Sequence, residues 1–290
     1  MKVLITGAYG QVGTRLVELL NGKAEILALD RDTLDITDRD AVLQTVTNLS
    51  PDIIINSAAY TAVDRAEQEV ALAYKINRDG PLFLAEAAQS IGAAILHIST
   101  DYVFNGKSEI PYIESDMVDP QSVYGKSKQE GENAVAGACA RHIILRTAWV
   151  FGEDGNNFVK TMLRLGKERD SLGIVADQFG GPTYAGDIAD ALIGIAEKIY
   201  SKDFSDWGIF HFSGMPYVSW FEFAEKIFDA AVDKKVLDKK PNLSRLKTED
   251  YPTPATRPSF SKLNCEKINQ SLGIKPSDWI KALEDITLYK

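Results

Sequence analysis

The chain has 290 residues, 45% of them hydrophobic and 25% charged, and its formal net charge is −9. A chain of this size and composition can bury a large core, which excludes the fibrous and disordered classes. The acidic balance, with no basic cluster, argues against nucleic acid as a partner. No apolar run approaches the ~20 residues of a membrane span, and no charged-then-apolar leader precedes the first strand, so we expect a cytoplasmic protein with no membrane partner.

The first predicted elements are a strand, a glycine-rich turn and a helix. Residues 3–5 form a short apolar run typical of a buried parallel strand, and residues 14–20 have a helical pattern. Between them, Gly7 permits a tight turn, Gly10 the close approach of a pyrophosphate, and Gly13 the packing of helix on strand. The spacing differs from the commoner Gly-x-Gly-x-x-Gly, but its place between strand and helix favours dinucleotide binding over a purely structural turn.

The second predicted strand, residues 25–29, ends at Asp30 and Arg31. A carboxylate at this place binds the adenosine ribose hydroxyls of NAD, whereas an arginine suits the extra phosphate of NADP. Both residue types are present, so this position leaves the choice of cofactor open. A few residues later, Asp35 either accepts a hydrogen bond from the adenine amino group or is a simple turn residue, and Thr37 is a candidate cap for the next helix.

Strand and helix patterns then alternate as far as residue 146, which predicts a doubly wound parallel sheet. Strands are predicted at residues 52–56, 94–99 and 142–146, with a helix-like stretch at 69–92 and a helix from Tyr124. Ligands of such sheets bind beyond the carboxyl ends of the strands. The segments that follow strands in this way are 57–61, 99–101 and 147–149.

Tyr124 and Lys128 lie four residues apart on the predicted helix. Positions i and i+4 share one face of a helix, so the phenol and the ammonium project into the same space. A phenol is a poor acid or base at neutral pH, and a fixed cation beside it is expected to lower its pKa. The alternative is an ordinary surface pair. Thr100, at a strand end, and the glycine turn favour a hydride-transfer site instead.

After Phe151 the pattern is less regular. Helices are predicted at residues 156–167, 187–200, 218–232 and 277–288, strands at 172–176 and 208–212, and a loop at 251–258. Asp187 is the expected cap of the second of these helices. We infer a cofactor domain of residues 1–150 and 176–213 and a smaller substrate domain of residues 151–175 and 214–290, with a cleft between them.

Cysteine and histidine give no sign of a metal site. Cys139 and Cys265 lie far apart without a partner motif, so free buried thiols in a reducing compartment are expected. His97, His142 and His211 fall within apolar strand-like runs and lack metal-ligand spacing, so we interpret them as core or strand residues. A carboxylate-bound Mg²⁺ at a subunit contact stays open.

Seven segments carry a resemblance to a known family. They are residues 1–13, 56–64, 99–104, 124–128, 146–150, 177–180 and 255–258. Together they resemble the extended short-chain dehydrogenase/reductases and, within these, the dTDP-4-dehydrorhamnose reductase family. The resemblance runs over nearly the whole chain. It implies a Rossmann-type α/β fold and reduction of the 4-keto group of a dTDP-sugar, dTDP-4-dehydro-L-rhamnose, with NADPH or NADH.

The resemblance also implies roles for single residues. Tyr124 would donate the proton, Lys128 would be its cation and a contact of the nicotinamide ribose, and Thr100 would orient the keto oxygen. The residues expected at the cofactor, from the glycine turn and the resemblance together, are Gly7, Gly10, Gln11, Val12, Asp30, Arg31, Asp35, Ile36, Ala58, Ala59, Tyr60, Thr61, Tyr124 and Lys128. Those expected at the substrate are Thr100, Asp101, Val103, Trp149, Asn157 and Arg257.

Two of the residues expected at the substrate have a purely structural interpretation as an alternative. A guanidinium at Arg257 can fork onto a diphosphate, or it forms a surface salt bridge. An aromatic ring at Trp149, directly after a strand end, is either a binding platform or part of the core.

Other functions stay open beside the reductase. Some members of the same lineage bind NADP as regulatory subunits without catalysis, and sugar-nucleotide dehydratases and epimerases share the tyrosine and the lysine. The intact Thr100, Tyr124 and Lys128 count against a non-catalytic protein. A dehydratase usually carries an Asp-Glu pair after the threonine, whereas Asp101 is followed by Tyr102. The assembly state is also open, with a homodimer as one alternative.

Overall fold

The computed structural model of the chain describes residues 1–201 and 203–289. Its strands are β1 (Lys2–Thr6), β2 (Glu25–Leu29), β3 (Ile53–Asn56), β4 (Ala94–Thr100), β5 (His142–Thr147), β6 (Val150–Phe151), β7 (Ser171–Val175), β8 (Phe179–Gly180), β9 (Thr183–Tyr184), β10 (Gly208–His211), β11 (Val218–Ser219), β12 (Asn242–Leu246) and β13 (Phe260–Ser261). Its helices are α1 (Gln11–Leu20), α2 (Arg39–Leu49), α3 (Val63–Ala66), α4 (Val70–Tyr74), α5 (Gly80–Ile91), α6 (Val123–Ala138), α7 (Phe158–Glu168), α8 (Ala185–Tyr200), α9 (Trp220–Asp233), α10 (Glu266–Leu272) and α11 (Trp279–Leu283).

Six strands form one parallel sheet in the order β2-β1-β3-β4-β5-β10. Its central strands are apolar on both faces, and every residue of β3 is buried, because helices cover both sides. Residues of α1, α8 and α10 pack on one side, and residues of α2, α5 and α6 pack on the other. The predicted doubly wound parallel sheet is confirmed, and its carboxyl edge gathers the segments that follow β1, β3, β4 and β5.

A second apolar core lies apart from the sheet. Its buried side chains come from residues 151–174 and 221–289, and they belong mainly to α7, β7, α9 and α11. Ser219 and Glu222 cap α9 reciprocally, because each side chain accepts a hydrogen bond from the backbone N–H of the other residue. Trp220, the first residue of α9, thereby lies against Trp149, which follows β5.

Several predicted helix ends are wrong. Asp38, not Thr37, caps α2, because the Asp38 carboxylate accepts from the backbone N–H of Ala41 while Thr37 donates to Asp35. α8 begins before Asp187, so Asp187 lies inside its first turn instead of capping it. The helix predicted at 277–288 is α11 followed by a single turn at residues 286–288.

Six strands have no sequence prediction, namely β6, β8, β9, β11, β12 and β13. The longest of them, β12, pairs in parallel with β7, and three of its five residues are exposed. Among the residues that the structure describes, no helix combines the length and the apolar composition that a bilayer crossing needs.

Candidate active site

The glycine turn after β1 fits a dinucleotide. Gly7 has a φ of +69°, and a Cβ added to it would lie 2.6 Å from the backbone nitrogen of Ala58. A Cβ on Gly13 would lie 2.1 Å from the carbonyl oxygen of Gly7. Only glycine therefore lets β1, the loop after β3 and α1 come this close. Within residues 1–201 and 203–289, no side chain caps the N-terminus of α1, so its first N–H groups can bind phosphate oxygens.

The loop after β2 carries the two residues that bear on cofactor choice. The Asp30 carboxylate accepts hydrogen bonds from the backbone N–H and the hydroxyl of Thr33, at 3.0 and 2.8 Å. The Thr33 hydroxyl holds the pKa of Asp30 below its usual value. Arg31 is exposed. The acidic residue is therefore engaged in its own turn, while the arginine next to it extends into solvent.

Asp35 and Ile36 occupy a similar turn. The Asp35 carboxylate accepts from the backbone N–H and the hydroxyl of Thr37 at 2.9 and 2.7 Å. Ile36 is buried, and a Cβ on Gly80 would lie 2.6 Å from its terminal carbon. The side chain of Ile36 thus fixes the loop against α5, and the Asp35 side chain fixes the turn.

Asn77 holds the loop of residues 57–61, which contains Ala58, Ala59, Tyr60 and Thr61. Asn77 is fully buried, and its side chain accepts from the backbone N–H of Tyr60 at 2.8 Å and donates to the Tyr60 carbonyl at 3.0 Å. It also donates to the Ser127 hydroxyl at 3.0 Å, on α6. One amide therefore ties this loop to the helix that carries Tyr124.

The start of α6 is fixed tightly. Ser122 caps the helix by accepting from the backbone N–H of Gly125 at 3.1 Å. A Cβ on Gly125 would lie 2.3 Å from the Tyr102 carbonyl oxygen, so glycine is required between Tyr124 and Lys128 for the helix to approach the strand end. The first turn of α6 is held against the segment after β4.

Tyr124 lies beside Thr100, the last residue of β4. The Tyr102 ring packs edge-on against the Tyr124 ring with 5.4 Å between centroids. Burial raises the pKa of Tyr124 and outweighs the lowering by the Thr100 hydroxyl. The prediction that Lys128 lowers the pKa of Tyr124 is therefore wrong. The phenol is protonated at neutral pH, which suits a proton donor.

Asp101 follows Thr100 into the interior. Its carboxylate accepts from the Thr100 hydroxyl at 3.0 Å, and 3% of the residue is exposed. Burial raises the pKa of Asp101 to about 6, although the neighbouring hydroxyls of Ser261 and Thr100 act to lower it. The Asp101 carboxylate thus fixes the direction of the Thr100 hydroxyl.

Lys128 lies one helical turn beyond Tyr124. Its Nζ donates to the carbonyl oxygen of Ile98 at 2.6 Å and lies 3.4 Å from Nε2 of His97. Burial lowers the pKa of Lys128 to about 8, although Glu132, a further turn along the helix, acts to raise it. Glu132 is itself held by the Arg146 guanidinium at 2.7 and 2.9 Å. The amine therefore changes its charge close to physiological pH.

Trp149 stands at the end of β5 in a strained conformation. Its φ is +48°, which L side chains rarely adopt. Its indole stacks on Trp220 with 3.5 Å between centroids, and a Cβ on Gly180 would lie 2.6 Å from the indole. The ring is half-buried. The side chain is packed from two sides and is still partly exposed.

Arg257 is held against α3 and the segment after β4 by a long-range ion pair and a hydrogen bond. Its guanidinium donates to Asp64 at 2.7 Å and to the Tyr102 hydroxyl at 3.3 Å. The other Asp64 oxygen accepts from the backbone N–H of Ala255 at 3.2 Å. Asp64 therefore fastens the loop of residues 251–258 over α3, with Arg257 next to the aromatic pair Tyr102 and Tyr124.

Two expected substrate residues have their side chains engaged elsewhere. Asn157 caps α7 by accepting from Lys160 at 3.1 Å, and its amide nitrogen donates to Gln11 at 3.1 Å and to the Gly152 carbonyl at 2.7 Å. Val103 is fully buried in a small core. Their contact with a substrate stays a prediction.

Neither cysteine nor histidine forms a metal centre in the part of the chain that the structure describes. No group of three or more His, Cys, Asp or Glu could hold a metal ion among those residues. Cys139 and Cys265 are free and buried, as predicted. His97 and His211 are fully buried, as predicted, but His97 also contacts Lys128.

The sheet order, the glycine turn after its first strand and the Tyr-x-x-x-Lys helix at its carboxyl edge define the class of extended short-chain dehydrogenase/reductases. The chain belongs to the family described as the RmlD substrate binding domain, which matches residues 1–288. It is thus an NAD(P)-dependent oxidoreductase, and the predicted resemblance is confirmed.

Individual relatives are similar over their full length. The chain is 55% identical to the dTDP-4-dehydrorhamnose reductase of Aggregatibacter actinomycetemcomitans, with 99% of each chain covered. It is 40% identical to the spore coat polysaccharide biosynthesis protein SpsK of Bacillus subtilis, with 98% of this chain and 96% of that protein covered. Among solved structures, the dTDP-4-dehydrorhamnose reductase of Bacillus anthracis in complex with NADP has 40% identity and a TM-score of 0.91, with 100% of this chain and 99% of that chain covered.

Sequence reasoning misses the residues that hold the site together. Asn77, Glu132 and Trp220 have no predicted role, and His97 is interpreted only as a core residue. The only signal for these four residues would be a polar or aromatic side chain that faces the interior from a strand or helix. A single sequence does not show which positions face inward at the junction of two elements.

Proposed function

We propose that this protein reduces the 4-keto group of dTDP-4-dehydro-L-rhamnose to give dTDP-L-rhamnose. The observation that carries the proposal is the 55% identity, over 290 residues, to a protein named dTDP-4-dehydrorhamnose reductase. The grouping of Thr100, Tyr124 and Lys128 at the carboxyl edge of the sheet supports the chemistry.

Charge development assigns the catalytic roles in this proposal. When bound, NADPH or NADH supplies the hydride to the carbonyl carbon. Negative charge then grows on the carbonyl oxygen, and Tyr124 donates its phenolic proton there. An alkoxide is a much stronger base than a phenolate, so this transfer is favourable even with the pKa of Tyr124 raised by burial. Thr100 steadies the oxygen once its O–H turns from Asp101 to the substrate, and the Lys128 ammonium steadies the phenolate that remains.

The cofactor is either NADPH or NADH, and we propose that NADPH is accepted through Arg31. Asp30 is held in its own turn by Thr33, and its side chain is thereby engaged within the protein. The exposed guanidinium of Arg31 is then the group for the 2′-phosphate. The Bacillus anthracis relative was solved with NADP, which agrees with this proposal.

The substrate residues are proposed from their places around Tyr124. Arg257 lies beside the Tyr102 and Tyr124 rings, where a guanidinium can bind the diphosphate. Trp149 offers a partly exposed aromatic ring for the sugar, and its unusual φ is the kind of strain that a binding site retains. Asp101 acts through Thr100.

A second candidate is reduction of a different nucleotide-linked keto sugar. The Bacillus subtilis relative, at 40% identity, carries a name that specifies only a coat polysaccharide. The sequence also leaves open a non-catalytic NADP-binding subunit, a dehydratase and an epimerase, and the relatives named as reductases favour none of these. The joint presence of Thr100, Tyr124 and Lys128 argues against the first of these.

A direct assay tests the proposal. The protein is mixed with dTDP-4-dehydrorhamnose and either NADPH or NADH, and nicotinamide absorbance is followed. Oxidation of the cofactor with this sugar, and none with UDP-linked or other keto sugars, supports the proposal. Oxidation only with another keto sugar favours the second candidate, and no oxidation with any of them favours a binding protein.

Three further proposals concern the whole molecule. A cofactor domain of residues 1–150 and 176–213 and a substrate domain of residues 151–175 and 214–290 stay a proposal, which the two cores support except at α10, because Ile268 and Leu272 pack in the core of the sheet. A cytoplasmic location and a homodimer are proposed with the family, and sedimentation tests the second. Mg²⁺ has no support among the described residues.

A further inference from the structure

A line of buried polar side chains joins the glycine turn to Lys128. Asn56, at the end of β3, and His97, on β4, are fully buried. The Asn56 amide nitrogen lies 3.0 Å from Nδ1 of His97, and Nε2 of the same ring lies 3.4 Å from Nζ of Lys128. His97 therefore stands between an amide and the amine proposed for catalysis.

The hydrogen bonds of Asn56 fix the position of its donors. Its Oδ1 accepts from the backbone N–H of Ala58 at 3.1 Å and from the Thr6 hydroxyl at 2.8 Å. A backbone N–H can only donate, so the atom facing Ala58 is the amide oxygen and the atom facing His97 is the NH₂ group. The amide orientation follows from this contact alone.

The tautomer of His97 follows in turn. An NH₂ group can only donate, so Nδ1 of His97 must present its lone pair, and the proton of a neutral ring is on Nε2. An imidazolium would place an N–H against the NH₂ group. Burial, together with the charge of Lys128, holds the pKa of His97 well below its usual value. The ring is therefore neutral, with Nε2–H directed at Lys128.

This arrangement distinguishes the two forms of the lysine. An ammonium has three donors and no acceptor, so it gains nothing from Nε2–H and is repelled by it. A neutral amine has a lone pair that can accept. The Ile98 carbonyl accepts from Lys128 in either form. The other charged groups near the amine are Glu132 on α6 and, paired with it, Arg146 on β5.

We propose that His97, held in one tautomer by Asn56, is a positioning residue that weakens proton binding by Lys128, whose amine it faces beside the Ile98 carbonyl. The proposal rests on the catalytic role of Lys128 proposed above. Its consequence is that His97, in addition to burial, lowers the pH above which turnover falls, because only the ammonium steadies the Tyr124 phenolate.

The tautomer can be measured directly on the unmodified protein. The chain has three histidines, so their ring nitrogens are readily assigned in long-range ¹H–¹⁵N spectra. We expect one ring, that of His97, to show a protonated Nε2 and an acceptor Nδ1, without titration between about pH 6 and 9. A protonated Nδ1, or a ring that titrates, would overturn the proposal. This result does not depend on any variant folding.

The effect on Lys128 is measured in His97→Asn. The Oδ1 of the new side chain occupies the place of Nδ1 and can accept from Asn56, while the Nε2–H donor is lost. In ¹³C-lysine-labelled protein, with Lys128→Met to assign the signal, we expect the pKa of Lys128 to rise by about one unit, the size of one hydrogen bond. The basic limb of the turnover profile should move up by the same amount.

The same change at another strand provides the control. His142 begins β5, and its ring bonds to the Cys139 carbonyl at 2.7 Å, so His142→Asn should leave the pKa of Lys128 unchanged. A purely structural His97 would lower the melting temperature of His97→Asn and leave that pKa where it is, which would overturn the proposal. Failure of the sugar assay would remove the proposed function but leave both spectroscopic outcomes intact.

Discussion

The candidate site contains two groups of residues that are built in different ways. The strand-end group is Thr100, Tyr124 and Lys128, which come from one strand and the helix that follows it. The long-range group is Trp149, Asn157 and Arg257, and each of its members is held by a partner distant in sequence, namely Trp220, Gln11 and Asp64.

This difference separates the residues expected to act in catalysis from those expected to bind the substrate. In the strand-end group the contacts are made with β4 and the residue after it: Thr100 donates to Asp101, and Lys128 donates to the Ile98 carbonyl. Burial shifts the pKa of both Tyr124 and Lys128. In the long-range group each side chain already has a structural contact, so binding of substrate has to share it or replace it. We therefore expect substitutions in the first group to change turnover, and substitutions in the second to change KM or stability.

The largest expected effect is that of Tyr124→Phe. Loss of the proton donor should lower kcat by about 10³-fold, within the usual range for a general acid. Nucleotide binding, measured by quenching of protein fluorescence, should stay within about twofold, since the ring and its packing remain. Tyr102→Phe is the matched control, because it removes a neighbouring hydroxyl from the same aromatic pair. Near-normal turnover in Tyr124→Phe would exclude it as the acid.

Lys128→Met should have the next largest effect, about 10²-fold on kcat. In the wild type, turnover should fall as the pH rises through the Lys128 pKa of about 8, because the amine loses its charge. The variant should show no such fall. Lys126→Met, two residues away and exposed, is the control. A basic limb near that pH that persists in Lys128→Met would assign it to another group.

The same two groups show how far the sequence predicts the structure. The strand-end group follows from pattern alone: strands and helices alternate, and Tyr124 and Lys128 share a helix face. The long-range group depends on packing between segments up to 193 residues apart, as for Asp64 and Arg257. Local patterns carry no information on such partners. The raised pKa of Tyr124 escapes prediction for a similar reason, because burial, not the nearby cation, dominates it.

Arg257→Gln tests the long-range group where it approaches the strand-end group. If the guanidinium binds the diphosphate, KM for the sugar nucleotide should rise about tenfold or more, with kcat nearly unchanged, as expected for loss of a charged hydrogen bond. Asp64→Asn keeps an oxygen for the Ala255 N–H and removes only the ion pair. Equal, small effects of both variants would reduce Arg257 to a surface salt bridge.

Arg31→Ala should discriminate between the two cofactors. We expect KM for NADPH to rise about tenfold and KM for NADH to stay constant, because only NADPH carries the 2′-phosphate. Arg39→Ala, eight residues further along and paired with Glu86, controls for the loss of one positive charge. Equal effects on both cofactors would contradict the proposed contact.

The smallest expected effect is that of substitutions at Asn157. It shows whether Asn157 is mainly a helix cap or a substrate contact. Asn157→Asp keeps an oxygen to cap α7 but loses the N–H donors to Gln11 and Gly152, whereas Asn157→Ala loses both functions. If the cap is its main role, Asn157→Ala should lower stability by about 1 kcal/mol, roughly 2 °C in Tm, while Asn157→Asp stays closer to the wild type. In both variants KM for the sugar should change little. A rise in KM of about tenfold in Asn157→Asp, with Tm unchanged, would instead make the amide nitrogen a substrate contact that exchanges Gln11 for the ligand.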